Sequence, residues 1–162
     1  MEGARAAEVA DLAVVEDLWR RAVDELEGLR GGNILASDLT RADLAGTLRA
    51  DLEDPDRMLA VGTIDDTLVG MAAAHRRRAP AGPIAVVDLV YVVPEARQVG
   101  GGEALINLVT AWAEELECRG VDAPALPGSR STKAFFEAHG FQARLLIMHH
   151  PLHARPDGPI RR

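Results

Sequence analysis

Apolar positions recur at helical spacing near the start of the chain, where Val15, Leu18, Trp19, Ala22, Val23 and Leu26 share one face. Asp11 ahead of that run is an N-cap residue type and Gly31-Gly32 is a stop, so the spacing predicts an amphipathic first helix. Thr40, again of cap type, predicts a second helix through Leu44 and Leu48 to about Leu52, before the turn-like Asp54-Pro55-Asp56. Met58 to Ile64 and Leu68 to His75 read as two strands joined at Asp65-Asp66, a connection short enough for an antiparallel hairpin. Ile84 to Val93 is almost continuously apolar and β-branched, the pattern of a central strand covered on both faces.

Pro94 cannot extend a ladder and is followed by Arg97-Gln98-Val99-Gly100-Gly101-Gly102. A third helix then carries Leu105, Leu108, Val109, Trp112, Ala113 and Leu116 on one face and closes at Gly120. Val121 to Leu126 reads as a further strand whose pairing is made partial by Pro124. A short helix ends at His139-Gly140-Phe141, and Gln142 to His150 reads as a last strand. Residues 1–150 form one expected domain, and Pro151 to Arg162, with three prolines and a glycine, is expected to be a flexible tail. Strands interleaved with helices argue for an α/β or α+β sheet layered with helices.

Composition narrows the function classes. At 162 residues, 48% apolar and 27% charged, the chain can bury a core as one globular unit. Its 25 acidic residues against 18 Lys and Arg give a net charge of -7, the wrong sign for gripping nucleic acid through phosphates. No apolar run approaches the roughly 20 residues of a membrane helix, since Asp88 interrupts even the most apolar stretch. Glu2, Arg5 and Glu8 break any secretory signal, and the single Cys118 excludes an intrachain disulfide, so the expected compartment is the cytoplasm.

The strongest chemical signal is the succession of buried strand, glycine-rich turn and helix. Such a turn exposes unpaired backbone N–H groups where the helix dipole favours negative charge, and so suits a phosphate or pyrophosphate. Glycines let the backbone approach the oxygens and adopt positive φ. The alternative is a flexible loop with a Gly-rich cap. Position 105 is Leu, so no G-x-G-x-x-G starts at Gly100, and no Gly-Lys-Ser/Thr follows for a nucleotide P-loop.

The run Val92-Val93-Pro94-Glu95-Ala96-Arg97-Gln98-Val99-Gly100-Gly101-Gly102-Glu103 resembles the acetyl-CoA signature of the GNAT acetyltransferases, with Arg97, Gly100 and Gly102 in its three defining places. Lys133-Ala134-Phe135-Phe136-Glu137-Ala138-His139-Gly140-Phe141 is similar to that family's late helix. The resemblance implies a mixed, mostly antiparallel sheet of six to seven strands flanked by about four helices, splayed between the central strand and the strand after the third helix. It also implies acetyl-CoA as acyl donor, with its pyrophosphate on the amides of Gln98, Val99, Gly100, Gly101, Gly102 and Glu103 and its pantetheine arm along Val90, Tyr91 and Val92. The implied reaction is direct attack of an amine on the thioester, with the Val92 amide as oxyanion donor. The acceptor would be a small-molecule or peptide amine, and a homodimer is common in the family. A non-catalytic acyl-CoA sensor is the rival reading.

Three positions depart from the pattern. The usual tyrosine acid is replaced by Phe136, which packs but donates no proton; the family's cofactor-binding asparagine falls at Ser129; and Glu103 stands where a basic residue often meets the phosphates, leaving Arg97 as the main nearby cation. Asp88, embedded in the central strand, is the candidate base, burial raising a carboxyl's pKa toward a useful range. It reads otherwise as a solvent-facing carboxylate or a partner for Arg76 to Arg78. His149 and His150 point to opposite faces of a strand and offer no shared metal site. His75 with its arginines reads as a solvated strand end, and Cys118 as a packed residue.

Overall fold

The computed structural model describes residues 2–97 and 100–152; Gln98 and Val99 of the glycine-rich turn, and the expected tail from residue 153 onward, lie outside the described residues. The elements are β1 (Glu2–Ala6), α1 (Leu12–Glu27), α2 (Gly32–Leu39), α3 (Leu44–Glu53), β2 (Arg57–Ile64), β3 (Thr67–Arg77), β4 (Ile84–Val92), α4 (Gly101–Glu115), β5 (Val121–Asp122) and α5 (Arg130–Ala138). The strands form one sheet in the order β1-β2-β3-β4-β5, antiparallel except that β5 runs parallel to β4.

The β2–β3 hairpin turns at Asp65 and Asp66, both at positive φ (46° and 62°), the geometry whose twist matches that of paired strands. Two apolar clusters cover the sheet. Val15, Leu18, Trp19, Leu48, Met71, Leu89 and Tyr91 pack beneath α1–α3, while Val87, Val92, Leu105, Ile106, Val109 and Phe136 pack beneath α4 and α5. Val87 and Leu89 lie on opposite faces because Ala73 pairs with Leu89 while Ala74 pairs with Val87, leaving Asp88 as the extra residue of a β-bulge.

Four expectations change. The sheet has five strands among the described residues, not six to seven. β1 carries no apolar alternation; it is an edge strand held by its ladder to β2, from Glu2↔Ile64 to Ala6↔Ala60. Gly31, at φ 79°, starts α2 rather than only stopping α1, and Thr40 closes α2 by donating to the Ala36 carbonyl at 2.9 Å; the cap of α3 is Asp43, whose carboxylate accepts from Gly46 N–H at 2.9 Å. Gln142 to His150 forms no strand: β5 is two residues long with Pro124 just beyond it, so there is little edge to extend. The Arg144 guanidinium reaches Asp122 at 2.7 Å, but Leu145 to Met148 stand 70–84% exposed.

The start of the fold is fastened by Asp11, buried, accepting from both Arg5 nitrogens at 2.6 and 2.9 Å and from Glu8 N–H at 2.8 Å. The Arg5 hydrogen bonds, opposed in part by burial, hold its carboxyl below the ordinary value of 3.8. A lowered folded-state pKa stabilises fully above 3.8, and that contribution is lost as pH falls through the lowered value. The difference in urea midpoint between the parent and Asp11→Asn is therefore expected to be largest at neutral pH and to shrink below pH 4.

Candidate functional site

β4 and β5 pair only at Ala85↔Val121 and Val86↔Asp122, so from Val87 to Val92 the β4 edge facing away from β3 has no neighbour in the sheet among the described residues. Which groups that edge presents follows from the ladder. Val93 N–H donates to Val69 C=O at 2.9 Å, and hydrogen-bonded and non-bonded pairs alternate in an antiparallel ladder. Tyr91, opposite Met71, therefore bonds into β3, whereas Val90 and Val92, opposite Ala72 and Gly70, turn their N–H and C=O outward. The outward Val92 carbonyl accepts from Arg97 Nε at 2.9 Å.

This edge leads into the start of α4. Gly100 takes φ 84°, which an L side chain rarely adopts, and no side chain among the described residues caps the helix. The first-turn amides of Gly101, Gly102 and Glu103 have no acceptor within the helix and carry its positive dipole end. A Cβ on Gly102 would stand 3.1 Å from the Phe135 ring, so hydrogen alone fits there comfortably.

Arg97, the main nearby cation of the turn, is engaged by a carboxylate. Its Nη2 donates to both carboxylate oxygens of Glu25, at 2.8 and 2.6 Å, and its guanidinium lies 5.5 Å from the centre of the Tyr91 ring. Tyr91 OH donates to the same Glu25 at 2.9 Å, and burial, then that bond, push the phenol's pKa up. Glu25, on α1, was not legible as a site residue because 72 residues separate it from Arg97.

Asp88 is likewise partnered. The bulge aims it toward the α1–α3 face, where Oδ1 meets His75 Nδ1 at 2.8 Å and Oδ2 meets Arg57 Nη1 at 3.5 Å. Arg57 Nε also reaches Asp51 of α3 at 3.2 Å. Burial is the main cause pushing the Asp51 carboxyl up, with Arg57 and Arg41 pulling the other way.

Ser129 and Thr132 hydroxyls lie 2.6 Å apart, and Ser129 does not cap α5 through its side chain. Phe136 is buried against Phe141, with centroids 5.1 Å apart. Phe141 N–H donates to Phe136 C=O at 3.0 Å and Gly140 sits at φ 83°, a Schellman ending with its hydrophobic contact. It is Phe135, not Phe136, whose ring approaches Gly102. Glu103 is exposed in the first turn of α4. Among the described residues no group of three or more His, Cys, Asp or Glu could hold a metal, and no helix is long and apolar enough to cross a membrane.

The model of the acetyltransferase (GNAT) family matches residues 26–141, from the end of α1 through the Gly-Phe that closes α5. The chain belongs to the GNAT family. It is accordingly an N-acetyltransferase domain, and its acyl donor is acetyl-CoA. Solved GNAT-like structures share the fold at low identity. A putative acetyltransferase from Agrobacterium tumefaciens aligns at 20% identity and TM-score 0.69 over 92% of this chain and 99% of its own. AAC(6')-Iy, solved with the bisubstrate analogue CoA-S-monomethyl-acetylneamine, aligns at 17% and TM-score 0.70 over 95% and 99%. A predicted acetyltransferase from Clostridium acetobutylicum, solved with acetyl-CoA, aligns at 16% and TM-score 0.70 over 94% and 97%. No curated protein matches the chain by sequence.

The GNAT donor fits what this chain offers in one respect and meets resistance in another. The open β4 edge and the uncapped α4 start supply hydrogen-bonding groups for an amide-bearing arm and an anion. The nearby charge is unfavourable, because Glu103 and Glu25 are acidic and Arg97 is held by Glu25. Removing that competing carboxylate frees the guanidinium, so Glu25→Gln is expected to tighten acetyl-CoA binding by about threefold to tenfold at low salt, with the gain shrinking at high salt. Calorimetry at two ionic strengths checks it.

Proposed function

We propose that this domain moves an acetyl group from acetyl-CoA to a primary amine by direct attack. The observation that carries the reading is the released β4 edge together with the αL Gly100 and the first-turn amides of α4 that follow it in the chain. Val90 and Val92 would pair with the pantetheine arm, the amides from Gln98 to Glu103 would hold the pyrophosphate, and the Val92 amide would stabilise charge growing on the thioester oxygen. Tyr91 contributes through its side chain, which fixes Glu25 and Arg97 beside that edge. Asp88 belongs to the step that removes the amine's proton. Phe136 keeps α5 in place, and water protonates the departing thiolate, a good leaving group.

A small-molecule amine is the favoured acceptor, because AAC(6')-Iy, solved with a small-molecule bisubstrate analogue, has the same fold. The setting is the cytoplasm, and the chain works as a homodimer, the exposed Leu145 to Met148 run being the apolar surface a second copy would cover. Thiol release across an amine panel, run beside calorimetry with acetyl-CoA, tests the activity. Binding with no turnover on any amine would favour the sensor instead. A single sedimenting species of monomer mass at micromolar concentration would remove the dimer.

A further inference from the structure

Glu25, in the last turn of α1, already holds a cation. Both its oxygens accept from Arg97 Nη2, at 2.8 and 2.6 Å, and Oε1 also accepts from Tyr91 OH at 2.9 Å. The two partners differ in kind. Tyr91 is 7% exposed within the α1–α3 cluster, so its phenol is fixed. The Arg97 and Glu25 side chains are each 44% exposed, and an ion pair so open to solvent is weak and readily exchanged. The same guanidinium donates from Nε to the outward Val92 carbonyl at 2.9 Å. Glu25 therefore lies one guanidinium group away from the last residue of the released β4 edge, along which the acyl donor would lie. Arg21, one turn earlier on α1, is engaged by Asp17 at 2.9 Å, which leaves the place held by Arg97 open to an outside cation.

We propose that Glu25 is the carboxylate that receives the acceptor's ammonium group, and that the donor's diphosphate uncovers it by drawing Arg97 away. This rests on the acetyl-transfer reading above. Arg97 stands three residues before Gly100, whose turn opens the first amides of α4. A diphosphate at those amides carries more charge than one carboxylate and suits a guanidinium at least as well, so it competes for Arg97. Once Arg97 has moved, the Val92 carbonyl is free for an amide of the pantetheine arm. Glu25, still held by Tyr91, is left with a negative charge that a primary ammonium can meet. In the free protein Arg97 fills that place itself. Donor and acceptor thus assist one another through one side chain: the donor exposes the acceptor's partner, and an ammonium on Glu25 keeps Arg97 from returning. By linkage the two effects are equal in size.

The test is calorimetry of CoA on the full chain at fixed ionic strength, alone and with putrescine or the uncharged butanediol. CoA carries no acetyl group, so nothing turns over and the readout is binding alone. In the parent, putrescine is expected to tighten CoA binding by about threefold to tenfold, and butanediol to leave it unchanged. Glu25→Gln should bind CoA more tightly from the outset and show no response to putrescine. Arg97→Gln, in which nothing covers Glu25, should bind putrescine equally well with and without CoA. An equal gain in Glu25→Gln and the parent would mean that the amine acts elsewhere, and a parent that binds CoA but ignores putrescine would mean that no such exchange occurs; either result overturns the proposal. Failure of the acetyl-transfer reading looks different: neither the parent nor any variant would bind CoA, and this proposal would fall with it.

Discussion

Gly100→Val is expected to weaken acetyl-CoA binding by about tenfold to a hundredfold, while the protein stays folded. Gly100 holds φ 84° at the entry to α4, and a β-branched side chain there costs roughly 1–2 kcal/mol. The turn has two responses. It keeps its shape, and stability falls by that amount; or it relaxes, and the first amides of α4 swing away from the anion. Hydrogen bonds to a charged group are worth about 1.5–3 kcal/mol each, so losing one is at least tenfold in Kd. Gly101→Ala separates conformation from crowding. Its Cβ would lie 3.8 Å from Val92, an ordinary contact, and it is not among the positive-φ glycines. It should bind within threefold of the parent, with a melting temperature equal or slightly higher. Equal affinity for Gly100→Val and the parent by calorimetry would falsify the role given to this turn.

The parts of this molecule that the sequence made legible are those in which a local pattern and a burial requirement coincide. β4 is readable because both its faces are covered, so Ile84 to Val92 is apolar at every position but Asp88; the hairpin is readable because two aspartates supply the turn. β1 is silent for the opposite reason: an edge strand of Gly and Ala with charged neighbours has no alternation to detect. Asp43 and Thr40 are both cap-type residues, and only the tertiary path of α2 decides which one starts α3. At the site, the glycine turn is a contiguous signature and could be read. The pairs Glu25–Arg97 and His75–Asp88 join separate elements, and the second depends on a bulge that changes which way a side chain points. A continuous apolar run hides a bulge, since it offers no alternation whose phase could break.

Trp19→Ala carries the largest expected loss of stability. Trp19 is 2% exposed among Val15, Leu48 and Met71, and its indole N–H donates to the Leu39 carbonyl at 3.0 Å, joining α1 to the last turn of α2. The Arg41 guanidinium covers the ring from outside at 5.3 Å. Truncating a buried tryptophan costs about 3–5 kcal/mol, since the cavity closes only in part and here the Leu39 carbonyl also loses its donor. For a domain of this size that is a fall in melting temperature of about 6–20 °C. Trp19→Phe restores most of the ring volume without the N–H, and should recover the larger share, leaving roughly the 0.5–1.5 kcal/mol of one neutral hydrogen bond. The consequences for binding differ from those at Gly100. Trp19 lies beneath α1–α3, whereas the glycine turn opens α4 on the other face of the sheet. Well below its transition, Trp19→Ala should therefore bind acetyl-CoA within threefold of the parent. A melting temperature within 3 °C of the parent would mean that this joint does not hold the helical layer in place.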